Sequence, residues 1–338
     1  MNANIFNDLE KLQIDGLSNA QLKEVIARLK NTKVNVLFVG GTGVGKSSTI
    51  NALFNKTENA KVGQSTRPET SIIESYELNN LVIWDTPGFG DSAVNDARYK
   101  EEIINKLNER DNNGHFLIDL VLLIIDGSSR DYSSAYMIIK DIISPNLGLN
   151  ADNRLLVGIN QADMAMKGKY WNASNNQPEE PLKEFLEEKV ASTRARIKED
   201  TGLDIEPIYF SAGYKDGDEE QHPYNLSKLL SHLLRHLPSK KRVSVISDIN
   251  KNEENFESND QSGYDKEIEE ILEKSFWENL QDTIADLAND VKDSAAELAK
   301  TVILEGKKAV TAYIKSDEAQ QKAKEAITKL LSQIFKGK

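Results

Sequence analysis

Eight consecutive residues, Gly40, Gly41, Thr42, Gly43, Val44, Gly45, Lys46 and Ser47, fit the pattern G-x-x-x-x-G-K-[ST]. This pattern sets a lysine and a hydroxyl beside a glycine-rich loop. The glycines let backbone N–H groups from Gly43 to Ser48 converge on one anion. The N-terminus of a following helix adds its dipole. Lys46 is then placed to reach the outer phosphates of a polyphosphate, and the Ser47 hydroxyl to coordinate Mg²⁺. A glycine-rich turn without a nucleotide is the competing reading. The flanking residues argue against it, because 34–39 reads as a strand and 47–54 as a helix.

A second set is Asp85-Thr86-Pro87-Gly88. An aspartate at the carboxyl end of a sheet strand lies beside a phosphate loop, since ligands bind outside that edge. Asp85 can hold Mg²⁺ through water, and the Gly88 N–H can sense a γ-phosphate. The third set is Asn160-Gln161-Ala162-Asp163. A carboxylate at Asp163 can accept from both N1–H and N2–H₂ of guanine, whereas adenine lacks that pair of donors and leaves the charge unpaired. Asn160 is expected to tie this loop to the phosphate loop. Ser211-Ala212 is expected to offer a backbone N–H to guanine O6. The plainer reading of 160–163 is a polar turn.

The elements that must position these residues alternate along the chain. Residues 72–78 and 81–84 read as a hairpin around Asn79-Asn80. Residues 98–107 read as helix, 120–125 as an apolar strand, 132–143 as helix, 155–159 as strand and 182–198 as helix. Residues 207–210 then read as strand and 226–237 as helix. Buried strands alternating with amphipathic helices specify an α/β fold. Its sheet is expected to be mostly parallel and six-stranded, with one antiparallel edge strand. Ahead of it, 1–32 shows helical spacing with a break at Asp15-Gly16, and Ser18 is placed to cap the second piece.

The net charge of −12 argues against nonspecific nucleic-acid binding, which needs a basic face. The absence of cysteine excludes disulfides and thiol chemistry and is in keeping with a cytoplasmic setting. The first ten residues lack the basic and apolar regions of a signal peptide. The longest apolar run, 117–125, is interrupted by Asp119 and falls far short of the ~20 residues that span a bilayer. His232 and His236 share a helix face, but two ligands read as a packing pair rather than a metal site.

Beyond Pro238 the alternation stops. A domain covering 33–238 is expected to end there, with a flexible linker over 239–264, most polar from 248 to 265. A helical extension follows over 265–338. Its first part is acidic, with Trp277, Leu280, Ile284, Leu287, Val291, Ala295, Leu298 and Val302 at helical spacing. Its last part is basic, from Lys300 onward. An acidic helix followed by a basic one favours an antiparallel hairpin, docked on the first domain or serving as a homodimer or helical-partner surface. Ile327, Leu330, Leu331, Ile334 and Phe335 among lysines give the alternative of peripheral contact with anionic lipid.

Together, 40–47, Thr66, 85–88, 160–163 and 211–212 resemble the Era-like branch of P-loop GTPases, which includes TrmE, Era, EngA and the septins. Residues 22–237 look most like short bacterial Era-like proteins described as ribosome-binding GTPases. The segment DTPGFGD, 85–91, resembles septins. The resemblance implies GTP and GDP with Mg²⁺ as ligands and GTP hydrolysis as the activity. It also implies a first-switch threonine that closes on Mg²⁺, for which Thr66 is the choice and Thr70 the alternative. Three departures matter. Gln161 stands where the family usually has lysine, and Phe89 where many Ras-like members carry the glutamine that orients water. Gly43 stands where some members hold potassium with an asparagine. Asp91 or a partner residue is then expected to position the water, giving slow turnover that a partner or dimerisation raises. The expected function is a GTP-hydrolysing switch. The alternatives are a septin- or dynamin-like GTPase that assembles through its C-terminal helices, and a GTP-binding module that barely hydrolyses. The family's GxxG RNA-binding loop is missing from the last third, which weakens a role in ribosome assembly.

Overall fold

The computed structural model of the 338-residue chain describes residues 19–55, 61–63, 73–89, 93–216 and 219–290. Its centre is a twisted sheet in the order β2-β3-β4-β1-β5-β6-β7. The strands are β1 (Val34–Gly40), β2 (Lys61–Gly63), β3 (Glu74–Glu77), β4 (Leu81–Asp85), β5 (Leu120–Asp126), β6 (Leu155–Asn160) and β7 (Ile208–Tyr209). Strands β4, β1, β5, β6 and β7 run parallel, while β3 is antiparallel to β4. The short β2, antiparallel to β3, is a seventh strand beyond the six expected.

The strand sequences explain the two-layered core. Val36 and Phe38 of β1 with Leu122 of β5 point to one face, and Leu37 and Val39 with Val121 and Leu123 to the other. Helices α1 (Asn19–Asn31), α2 (Lys46–Leu53) and α6 (Leu226–His236) cover the first face. Helices α3 (Ala93–Asn108), α4 (Ser133–Ile138, continued by a π turn over Ile139–Ile143) and α5 (Glu180–Thr201) cover the second. Each fully buried aliphatic side chain in these layers contributes about 1.5–3 kcal/mol. Strands buried on both sides must be apolar throughout, hence the continuous rather than alternating runs.

Two segments flanking the sheet belong to this core. Leu22, Val25, Ile26 and Leu29 of α1 are buried in its first layer. The flexible linker expected over 239–264 is instead packed. A 3₁₀ run, Ser239–Asp248, buries Val243, Val245 and Ile246, and Ile249 and Phe256 follow them into the core. The Asp248 carboxylate is fully buried and accepts from the N–H groups of Asn79, Asn80 and Leu81 at 2.8, 2.8 and 2.9 Å. The polar composition misleads here because its amides serve other elements' backbones. Asn250 donates to Asn51 O and Asn255 to Ala52 O, both at the end of α2.

Helix α7 (Tyr264–Asp290) then lies on α1, α6 and the 3₁₀ run, burying Ile268, Leu272, Phe276 and Trp277. Arg28 of α1 pairs with Asp286 at 2.7 Å. Docking on the domain is thus the outcome for the acidic part of the extension. The basic part, the remainder of the expected hairpin, lies outside the described residues, as does Ser18. Among the described residues no helix is long and apolar enough to cross a membrane.

Candidate nucleotide site

The phosphate loop leaves β1 at Gly40 and enters α2 at Lys46. Gly45 is the N-cap in the left-handed region, φ +88°, and a Cβ there would fall 2.2 Å from Asn160 Nδ2. Only glycine satisfies both the conformation and the contact. Lys46 Nζ donates to the carbonyls of Gly40 at 3.2 Å and Gly41 at 3.1 Å, so its ammonium rests over the loop. A Cβ on Gly43 would meet nothing within 4 Å, which leaves that side of the loop open.

Asp85 ends β4 directly across from α2, and Ser47 Oγ donates to its Oδ2 at 3.4 Å, a long contact. Among the described residues no cluster of three or more acidic or histidine side chains could hold a metal. One hydroxyl and one carboxylate are hard oxygen donors, a set suited to Mg²⁺, which keeps waters and takes its remaining oxygens from phosphates. The residues fit that ion and fit a dedicated all-protein cage poorly.

The segment after β4 lies against the loop. A Cβ on Gly88 would come 2.4 Å from Thr42 N and Cα. The Thr42 N–H donates to Phe89 O at 3.1 Å, and the Phe89 N–H to Gly40 O at 3.4 Å. Thr42, the third residue of the 40–47 loop, therefore turns its amide toward the 85–89 segment. The Phe89 ring packs edge-on to Tyr99, centroids 6.3 Å apart, and brings no polar group to the site.

The base loop is built from the ends of β6 and β7. Asn160 Nδ2 donates to Val44 O at 2.8 Å, while its Oδ1 accepts from the Ala212 N–H at 2.9 Å. One side chain at the end of β6 thus joins three loops, the expected tie to the phosphate loop and a second to 211–212 that was not expected. Gln161, at φ +61°, sends Nε2 to Gly43 O at 2.9 Å. Asp163 is buried, and its Oδ1 accepts from Ser211 Oγ at 2.6 Å. Burial pushes the Asp163 carboxyl up from its ordinary range, with the Ser211 hydroxyl acting in the opposite sense. The 211–212 amides, expected to meet guanine O6, both have acceptors within the chain. The Ser211 N–H goes to Tyr224 O at 3.0 Å and the Ala212 N–H to Asn160.

Sequence reasoning missed the Gln161–Gly43 contact and the close turn at Gly127, whose N–H donates to Asn160 O at 2.6 Å. The glycine directly after Asp126 at the end of β5 was the available signal for the second. His236 Nδ1 lies 2.7 Å from His232 O within the helix, and burial lowers both imidazoles. Thr66, Thr70 and Asp91 lie outside the described residues.

Residues 35–160 match the family model described as 50S ribosome-binding GTPase. A probable GTP-binding protein EngB from Mycoplasmoides gallisepticum is 29% identical over 157 residues, 46% of this chain and 76% of that protein. Septin-8 of Xenopus tropicalis is 40% identical over 76 residues, 20% of this chain and 18% of the septin. A crystal structure of a probable GTP-binding protein engB superposes with a TM-score of 0.35 at 21% identity, covering 60% of this chain and 98% of its own.

Proposed function

We propose that this P-loop GTPase is a Mg²⁺-dependent molecular switch of the Era-like branch, with slow intrinsic turnover that a second copy or a partner raises. The observation that carries the reading is the joining of the base loop to the phosphate loop through Asn160, 2.8 Å from Val44 O. A carboxylate that selects guanine is thereby held in register with amides that hold phosphate.

In this reading Lys46 leaves the carbonyls of Gly40 and Gly41 for the β- and γ-phosphates, and the amides of 43–48 receive phosphate oxygens. Ser47 and Asp85 hold the metal, with Thr66 or Thr70 joining from the first switch. Bound Mg²⁺ supplies neutralisation of phosphate charge. Asp163 accepts from guanine N1–H and N2–H₂, Gln161 flanks the base, and the 211–212 turn borders O6. The Gly88 N–H reports the γ-phosphate. Slow turnover follows from Phe89, whose ring cannot orient water, and Asp91 or a partner residue is assigned that task.

Assembly through the C-terminal helices is the weaker reading. Trp277, the first residue of the apolar stripe, is buried in the chain's own core together with its neighbour Phe276 and is not available to a second copy. Equilibrium binding of fluorescent GDP, competed by GTP and ATP with Mg²⁺ or EDTA, tests the assignment. Competition by GTP but not ATP, weakened by EDTA, is expected, and equal competition by ATP would overturn it.

A further inference from the structure

We propose that the cleft between α3 and α4, behind the phosphate loop, is the docking site of the chain's own lysine-rich segment 322–338. The cleft has a volume of about 490 Å³ and an apolar floor that includes Phe89, Leu123 and Ile138. Its mouth carries Asp126, Asp131 and Asp141, with Lys100 the one cation lining it among the described residues. Met137 stands at its edge, 56% exposed. An apolar trough with an acidic mouth fits an amphipathic helix whose flanks are basic.

Segment 322–338 has that chemistry. Ile327, Leu330, Leu331, Ile334 and Phe335 recur at helical spacing, and Lys322, Lys324, Lys329, Lys336 and Lys338 stand against a single Glu325. The tether also reaches. The described part of α7 stops at Asp290, one turn past the Arg28–Asp286 pair with α1 and near the edge of the sheet where the strands begin, while the cleft opens where they end. The thirty or so residues between span about 45 Å even when fully helical, about twice the length of a seven-residue strand. Docking would place the segment against Phe89 and Gly41, so release of the segment and turnover would be linked. That consequence rests on the GTPase reading, whereas the docking does not.

The absence of native cysteine permits a direct test on the full chain. Met137→Cys is paired with Thr328→Cys, at the border of the segment's apolar face, and disulfide formation under mild oxidation is followed by non-reducing gel and mass spectrometry. The control pairs Thr328→Cys with Leu149→Cys, which is 92% exposed and lies past the far end of α4. An intramolecular link forming about tenfold faster than in the control is expected, as is its slowing when Asp131 and Asp141 are both changed to lysine. Equal rates in the two pairs overturn the proposal. So do links only between chains, which assign the cleft to a second copy. Binding to phosphatidylserine vesicles by a segment that never gives the intramolecular link overturns it too, in favour of lipid.

Discussion

Gln161 donates from Nε2 to the carbonyl oxygen of Gly43 at 2.9 Å, one residue before the Val44 carbonyl that Asn160 reaches. Two neighbouring amide side chains therefore fasten the base loop to successive carbonyls of the phosphate loop. Glutamine at this position supplies a donor without a charge.

Gln161→Ala is expected to weaken GDP binding by about 1 kcal/mol, several-fold in affinity, the ordinary worth of one hydrogen bond. Gln161→Lys should retain or tighten binding, since an ammonium can reach the same carbonyl. Titration calorimetry with GDP reads both. A Gln161→Ala chain that binds like the parent would show the contact to be idle.

Nucleotide affinity should depend on pH through Asp163. Burial holds this carboxyl above its ordinary value in the free protein, so it takes up a proton before an exposed carboxylate would. Guanine needs the ionised form. Affinity is then full above the raised value and is lost as pH falls through it, with proton release on binding in that window. Calorimetry in buffers of different ionisation enthalpy measures the released proton directly. Affinity that does not change on acidification would contradict the assignment.

The candidate site was legible in sequence because its pattern is local. Loop 40–47, Asp85 and Asp163 are short patterns, each at the end of an apolar strand, and β1, β4 and β6 deliver them to one edge of the sheet. The segment after Pro238 was not legible, because its meaning is tertiary. Asp248 and the asparagines near it look like solvated linker until the turn at Asn79-Asn80 and the end of α2 are brought beside them. The direction of the Ala212 amide is likewise decided by a partner 52 positions away, Asn160.

Asp248→Ala should destabilise the whole domain, by about 3 kcal/mol or more, because it leaves three backbone amides and the Asn79 side chain without their buried acceptor. Asp248→Asn, which keeps one acceptor oxygen, should cost less. Urea unfolding followed by tryptophan fluorescence compares the three chains. A loss confined to α7, with the rest of the domain unchanged, would show that 239–264 is a linker after all.

Acid should weaken the fold in part through His232, which burial lowers from 6.5 to about 4. The neutral form is favoured in the folded chain, so this contribution is present above 6.5 and is lost as pH falls toward 4. His232→Gln should reduce the difference in unfolding free energy between pH 7 and pH 5 by about 1–2 kcal/mol. Parallel denaturation curves at the two pH values are sufficient. An unchanged difference would place the acid sensitivity elsewhere.

The central claim is that residues 40–47 and Asp163 form one guanine-nucleotide site that turns GTP over. It is tested most directly by phosphate release from GTP and from ATP over a range of concentrations of the full chain with Mg²⁺. Lys46→Ala and Ser47→Asn serve as defective controls. The account predicts release from GTP alone, slow per chain, rising with protein concentration, and abolished in both variants. Equal release from ATP, or release from GTP that survives Lys46→Ala, would contradict it.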